Sequence, residues 1–501
     1  MTVTRSRYAR VCTLFLLAQV CCLGVLPQSD ARSLKDAFSQ GFAFPPVPGG
    51  GGGTTTRDGD SLLGFFTSDL TLAPPGAITQ AAQVVAPVIA AAVAQAVTQE
   101  FPLASVAPAF TYRYNAMLSV YERSTGVPGP LYSERALTLG RGQFNLSVGY
   151  SYVDFDEFNG TDLDDISSPA LISEVFLPDL QVDGIPLFPF TLSQLRTRID
   201  LQAHVIVPAL RYGITDNWDV SLAIPILNTF VRVRNEVRRV VDLNGRVGFV
   251  GDDLFFFALS PDLSTVTDLI PVTPETFDRL PYVRSQRRPA LLARAAASAT
   301  GIGDISLRTK YRVWRTENGG ATLGLNLLLP SGDVDDFQGT DETHVSPFLI
   351  LSQVMWDRFE PHVNLGFDFN ADDVDRSAFI YAVGATLLVW ERLGFSVDFI
   401  GRSEFGRFPV SIPPAGIIAG VRLNRPASSC TVDQPCNTPR RAVPFPIFPE
   451  RIKRNEIDDF SFGLRYALGT SGSVFFGAIM PLNSDGVRAD FIPSVGIEYS
   501  F

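Results

Sequence analysis

The positions at which this chain could do chemistry are charged residues recurring at every second place. Between Asp304 and Val313 one set of alternate residues is Asp304, Ser306, Arg308, Lys310 and Arg312, and the intervening set is mostly apolar. A period of two is that of a β-strand, so the charges share one face and the apolar side chains the other. A second stretch, 394–405, places Ser396, Asp398, Arg402 and Glu404 on one face, and the last strand adds Glu498. If these faces look into a common interior, two chemistries are open. Interior ion pairs could fill and stiffen a narrow enclosure, because buried charges need partners. Alternatively, the ladder Arg308, Lys310, Arg312 could polarise a pore and attract anionic solutes or the carboxylate of an amphipathic one.

Catalytic groups are sparse by comparison. The histidines are His204, His344 and His362, and only His344, beside Asp341 and Glu342, suggests an acid–base grouping. Neither a Gly-x-Ser-x-Gly elbow nor a paired-histidine zinc motif is present. The chain reads as a non-enzyme without cofactor or metal. Acidic clusters at 154–165, 333–342 and 372–375 fall where loops are expected and read as solvated. The spacing Asp154-x-Asp156-x-x-Asn159-Gly160 departs from the calcium-loop pattern, so cation binding is a weak alternative. A formal net charge of −11 argues against a nucleic-acid partner.

The elements that would position the charged faces are alternating strands. Candidates lie at 139–154, 196–213, 219–235, 303–315, 321–333, 344–356, 359–370, 377–390, 394–405, 458–468, 473–482 and 489–501. The last shows the pattern in full: Phe491, Pro493, Val495, Ile497, Tyr499 and Phe501 share one face, with mostly polar or small residues on the other. Strands apolar outside and polar inside, of about 9–11 residues, are what a transmembrane barrel requires. The connections agree. Short ones such as Thr215–Trp218, Asp357-Arg358 and Gly469–Gly472 alternate with longer ones, the signature of periplasmic turns opposite external loops. Trp218, Trp314, Trp356 and Trp390 all fall near strand ends on the short-turn side, as an aromatic girdle would place them. Closure is demanded because lipid offers no partner to a free strand edge.

The expected fold is therefore all-β: a transmembrane antiparallel barrel of about twelve strands, preceded by a partly helical plug or periplasmic segment. If Thr111–Arg123 pairs with another strand, fourteen is the alternative. The boundaries are 1–31 as a signal peptide, 32–136 as linker and plug or periplasmic segment, and 137–501 as the barrel. The leader reading rests on Arg5, Arg7 and Arg10 before the apolar run Val11–Leu26. It would remove Cys12, Cys21 and Cys22, leaving Cys430 and Cys436 to form a small disulfide loop. Residues 45–60 read as a flexible linker, and Ala77–Val97 as a water-soluble or plug helix. If Asp216-Asn217 centres a two-residue turn, Pro208 lies opposite Pro225. Neither residue can donate to the ladder, which suggests either a simple bend or a wall opening for sideways exit of an apolar substrate. Tyr499 and Phe501 read as an assembly signal. Expected partners are outer-membrane lipid of a Gram-negative-type bacterium, the barrel-assembly machinery and a small hydrophobic solute.

Three groups of residues carry a family resemblance. Gly129-Pro-Leu-Tyr-Ser-Glu-Arg-Ala-Leu-Thr-Leu-Gly-Arg-Gly-Gln-Phe-Asn145 is the first. Gly301-Ile-Gly-Asp-Ile305 with Lys310-Tyr-Arg312 is the second, and Leu329-Pro-Ser-Gly-Asp333 the third. In this order they resemble the outer-membrane phenol meta-pathway, or transporter, family, which is similar to the uptake barrels for long-chain fatty acids and aromatic hydrocarbons. The resemblance spans most of 100–501 and implies passive uptake of small hydrophobic or amphipathic, including aromatic, compounds. Two large insertions, near 236–302 and 406–455, depart from it and leave the external mouth open. A structural or adhesion barrel without transport, or an outer-membrane hydrolase, are the alternatives.

Overall fold

The computed structural model describes residues 33–42, 108–115, 120–158, 160–172, 191–241, 291–406 and 456–501, with short strand pieces in the loops between. Residues 1–31, the 45–60 linker, Ala77–Val97 and the pair Cys430 and Cys436 lie outside the described residues.

Twelve antiparallel strands form the wall. They are β1 (Phe144–Phe155), β2 (Thr191–Thr215), β3 (Trp218–Ala223 continued by Ile226–Val241), β4 (Leu291–Ile302 continued by Ile305–Arg315), β5 (Gly319–Leu329) and β6 (His344–Gln353). Then come β7 (Phe359–Asn370), β8 (Ala378–Trp390), β9 (Leu393–Glu404), β10 (Glu456–Leu468), β11 (Gly472–Pro481) and β12 (Ile492–Ser500). Each pairs with its neighbours in sequence, and β12 returns to β1 through Asn145↔Ser500 to Ser151↔Ser494, which closes the barrel. Closure leaves the strands no free edge within the membrane band. Thr111–Arg123 does not add to the wall. Its two halves, Tyr112–Asn115 and Val120–Arg123, pair with each other as a separate hairpin, so the fourteen-strand alternative falls away.

The alternation sorts as expected across the membrane. Leu146, Leu210, Leu323, Phe399, Leu464 and Val495 are exposed outward, while Ser147, Arg211, Thr322, Asp398, Arg465 and Ser494 on the opposite face are buried. The four tryptophans are exposed at the short-turn end. Phe501 joins them: its ring stacks on Phe144 at 5.6 Å, and its N–H donates to the Phe144 carbonyl at 2.9 Å. Among the described residues no helix is long and apolar enough to cross a membrane.

Two expectations fail at the outer end. The stretch before Gly303 is not loop: Leu291–Ile302 extends β4 and pairs with β3 from Ile226↔Ile302 to Val237↔Leu291. The polar face is also not inward throughout. On β2 the outward residues run Leu210, Ile206, His204, Gln202, Asp200, changing from apolar to polar, while Leu201, Ala203 and Val205 are buried inward. The reason is solvent. Above the membrane the wall stands in water and sorts like a soluble sheet, polar outside and apolar within. The changeover is marked by Tyr150 and Tyr152 against His204, whose Nδ1 lies 2.8 Å from the Tyr150 hydroxyl.

That apolar interior is filled by helix α1 (Leu34–Phe42), in the region expected to hold linker and plug or periplasmic segment, where the sequence pattern placed no helix at these residues. Leu34 and Phe38 pack among Val153, Phe155, Ile199, Leu201, Val231 and Val233. Contact is close enough that a Cβ on Gly41 would lie 2.4 Å from that of Val233, so glycine is required there. The helix begins at the Asp336 carboxylate, which accepts from the Leu34 N–H at 2.9 Å and satisfies one of its orphan amides.

Candidate functional site: an occluded lumen

The inward charged faces do not border open water along their length. Ala109 and residues 130–139 are hydrogen-bonded to them from inside the barrel. At the short-turn end the Ala109 N–H donates to Glu498 at 2.7 Å and the Leu139 N–H to Asp219 at 2.7 Å. At mid-height the Glu134 N–H donates to Asn364 at 2.7 Å, and the Ala136 carbonyl accepts from Thr322 at 2.6 Å. An irregular segment needs such partners because its backbone groups are otherwise unsatisfied.

Charge fixes the segment further. Glu134 receives Arg308 at 2.8 Å and Lys310 at 3.2 Å, with Arg211 at 3.7 Å. Burial pushes its carboxyl up, but the three cations outweigh burial and hold it at about 2. Lys310 also donates to the carbonyls of Arg135 and Leu137. Arg135 is fully buried and forks onto Glu360 at 2.6 and 3.2 Å. Ser133 donates to Asp398 Oδ1 at 2.6 Å, and His362 Nε2 lies 2.5 Å from the same oxygen. Arg465 bridges Glu498 at 2.8 Å and the Pro130 carbonyl at 3.1 Å.

The ladder residues thus have separate surroundings. Arg308, Lys310, Asp398 and Glu498 meet Ala109 and residues 133–137. Arg312 points its Nη2 at the carbonyls of Thr316 and Gly319 in the short turn. Arg402 pairs with Asp368 at 2.7 Å near the outer end, with Glu404 at 3.9 Å from its Nε. Glu134, Arg135, Arg211, Glu360 and Arg465 are the partners that strand periodicity missed. A signal existed for the first two: Glu134-Arg135 lies in the 129–145 stretch that carries the resemblance, a charged pair with no strand period around it.

Above residues 131–136 the lumen widens into a cavity of about 360 Å³. Leu328, Phe348, Ile380 and Ile400 form apolar walls, and Arg308 and Arg402 border it from opposite parts of the barrel. Arg308 also lies 5.5 Å from the Phe348 ring centroid, within cation–π range. His344 is on the wall, its Nδ1 3.0 Å from Asp368 and its Nε2 3.7 Å from Glu342. The expected neighbour Asp341 is not its partner. The nearby Ser346 hydroxyl donates to Asp368, so it is not activated by the histidine as a nucleophile would be.

The Pro208–Pro225 juxtaposition is displaced. A bulge near Gly213–Thr215 shifts the register, so that Ala223 faces Ala209 and Ile226 faces Ile206. The two prolines are therefore offset by one residue. The Ile224 N–H still donates to the Pro208 carbonyl at 3.1 Å, and the Gly303 N–H to that of Pro225 at 2.8 Å. What the prolines mark is a discontinuity: β3 breaks at Ile224-Pro225 directly beside the break of β4 at Gly303-Asp304.

Asp304 closes that junction. Its Oδ1 accepts from the Ser331 and Gly332 N–H groups at 3.1 and 2.9 Å, and its Oδ2 from the Thr340 N–H and hydroxyl, both at 2.8 Å. Ser331 donates back to the Gly303 carbonyl at 2.9 Å. The second and third sequence motifs are thus two halves of one latch. Gly332 is needed there, since a Cβ would lie 2.2 Å from the Gln338 carbonyl oxygen.

Residues 275–401 match the family model described as "Putative MetA-pathway of phenol degradation". The match contains both halves of the Asp304 latch and covers about a quarter of the chain. No curated protein matches. Among solved structures, the chain is similar to a Pseudomonas aeruginosa FadL homologue at 10% identity, covering 75% of this chain and 92% of that one, with a TM-score of 0.27. It is also similar to the P. putida toluene transporter TodX at 12% identity, covering 72% and 89%, TM-score 0.27. The outer-membrane protease OmpT of Escherichia coli matches at 9% identity, covering 72% and 97%, TM-score 0.22. At these scores neither the FadL homologue, the toluene transporter nor the protease says what this chain does.

Proposed function

We propose that this protein is an outer-membrane channel for passive uptake of small hydrophobic or amphipathic compounds, aromatic ones included. The observation that carries the reading is the cavity itself. A space of about 360 Å³ lies inside a membrane-spanning wall, with aliphatic and aromatic sides and guanidinium groups at its border. Cavities of about 300–1,000 Å³ with apolar walls and few polar groups are those that take small organic ligands. The phenol-degradation family match of 275–401 points to the same class of compound.

In this reading residues 32–136 are the linker and plug. The ladder residues Arg308, Lys310, Asp398 and Glu498 act chiefly as its anchors, while Arg402 faces the solute. Passage then needs the plug to shift, because residues 131–136 lie beneath the cavity on the short-turn side. The prolines and the β3–β4 break are the candidate site for a sideways exit, guarded by the Asp304 latch. Residues 1–31 direct export, and Tyr499 and Phe501 are read by the assembly machinery.

Uptake of toluene and benzoate into proteoliposomes tests the proposal. Ile380→Trp, which fills the cavity, should slow uptake at least tenfold while the barrel still folds. Uptake no faster than in protein-free liposomes would overturn the channel reading. Esterase activity abolished by His344→Ala would move the assignment to a hydrolase.

A further inference from the structure

Above the apolar belt, the outside of the wall carries a row of like charge, of which the two outer members have no ion-pair partner among the described residues. Arg198 on β2, Arg234 on β3 and Arg294 on β4 are direct cross-strand partners, and all three are exposed. Direct partners on one face of a sheet have Cβ atoms about 4.5–5.5 Å apart, and like charges so placed are destabilising. Ile199, Val233 and Ala293, next along each strand, are buried on the side of helix α1, so the arginines point away from the lumen.

Among the described residues only Arg234, the middle of the row, meets a carboxylate. Asp165 takes Arg196 through two hydrogen bonds of 2.6 Å, Asp200 takes Arg232 at 3.1 Å, and Glu236 pairs with Arg234. Asp164 is near enough to Arg198 to feel its charge, but its side chain bonds with Asp200. Among the described residues neither Arg198 nor Arg294 forms an ion pair. The row is continuous with the membrane boundary: Arg232, on the same face, lies 5.0 Å from the Phe230 ring.

Its height selects the partner. Arg198 is eight residues beyond Ile206, roughly 26 Å along the strand and about 20 Å in height at barrel tilt. Acyl chains end near the Tyr150–His204 contact, so the row stands among the sugars of the outer-leaflet glycolipid. A phosphate between neighbouring guanidiniums would turn repulsion into bridging, since the planar fork matches phosphate oxygens in pairs. We infer that Arg198, Arg234 and Arg294 form a docking site for phosphate groups on the saccharide core of lipopolysaccharide.

The full-length protein in detergent should be titrated with three glycolipids. These are lipopolysaccharide with a complete phosphorylated core, the same core after dephosphorylation, and a truncated form that keeps only the lipid A phosphates. The complete core should bind at least tenfold more tightly than either other form. The variant R198Q/R294Q should erase that preference, while its melting midpoint without glycolipid stays unchanged or rises, because like charges have been removed. A control of equal charge, R358Q/R392Q in the short turns, should keep the preference. Equal binding of the three glycolipids would overturn the inference, as would an undiminished preference in R198Q/R294Q or its loss in the control. A lowered midpoint in R198Q/R294Q would instead assign the arginines to holding the wall, and altered self-association without altered glycolipid binding would assign the face to a protein partner.

Discussion

Arg135 and Glu360 are the pair on which the plug depends most, since neither side chain has any exposure. Removing one partner leaves a buried charge, which costs about 3–5 kcal/mol. Arg135→Met should therefore lower the denaturant midpoint sharply, and adding Glu360→Gln should recover part of the loss. Glu134 gives a pH dependence of known sign. Its folded carboxyl titrates at about 2, below its ordinary value of 4.5. The stability it contributes is present above pH 4.5 and disappears as pH falls through about 2. Fluorescence-monitored unfolding between pH 6 and 2 should show that loss, and Glu134→Gln should flatten it. The acidic loop residues are also local fasteners: Asp333 and Asp373 cap the short helices Val334–Asp336 and Val374–Arg376 by accepting from the N–H two residues on.

At the scale of elements, the junction of β3, β4 and the loop after β5 is held by one carboxylate. Asp304→Asn keeps an acceptor for Ser331 and Gly332 but turns an amide donor toward the Thr340 N–H. An unsatisfied buried group costs about 1–3 kcal/mol. Faster hydrogen exchange at Ser331, Gly332 and Thr340, with the rest of the barrel protected as before, is the expected outcome. The strands themselves were readable because alternation needs only a sided environment. Their ends were not: Leu291–Ile302 is alanine-rich, with little contrast between faces, and its pairing with β3 comes from a partner far along the chain. Helix α1 was unreadable for a similar reason. Nine residues are too few to declare a helix alone, and tertiary packing on Val231 and Val233 supplies what propensity does not.

For the whole molecule, Phe501 closes the seam between the last strand and the first, and it is also the residue proposed to be read during assembly. These roles separate experimentally. Phe501→Ala should leave refolding into detergent nearly unchanged, since only the exposed ring contacts with Phe144 and Tyr499 are lost, but should strongly reduce the folded, heat-modifiable fraction in cells. Equal yields in cells would remove the assembly role. The sequence by itself determined the barrel, a count of about twelve strands with fourteen still open, the side on which the short turns lie and the outward aromatic belt. Each follows from local alternation against lipid, which every strand reports independently. Only the tertiary structure decided what fills the lumen, because Glu134 and Arg135 find Arg308, Lys310 and Glu360 across more than a hundred residues. It likewise decided where the polar face turns outward, since the same alternation reads one way in lipid and the other in water.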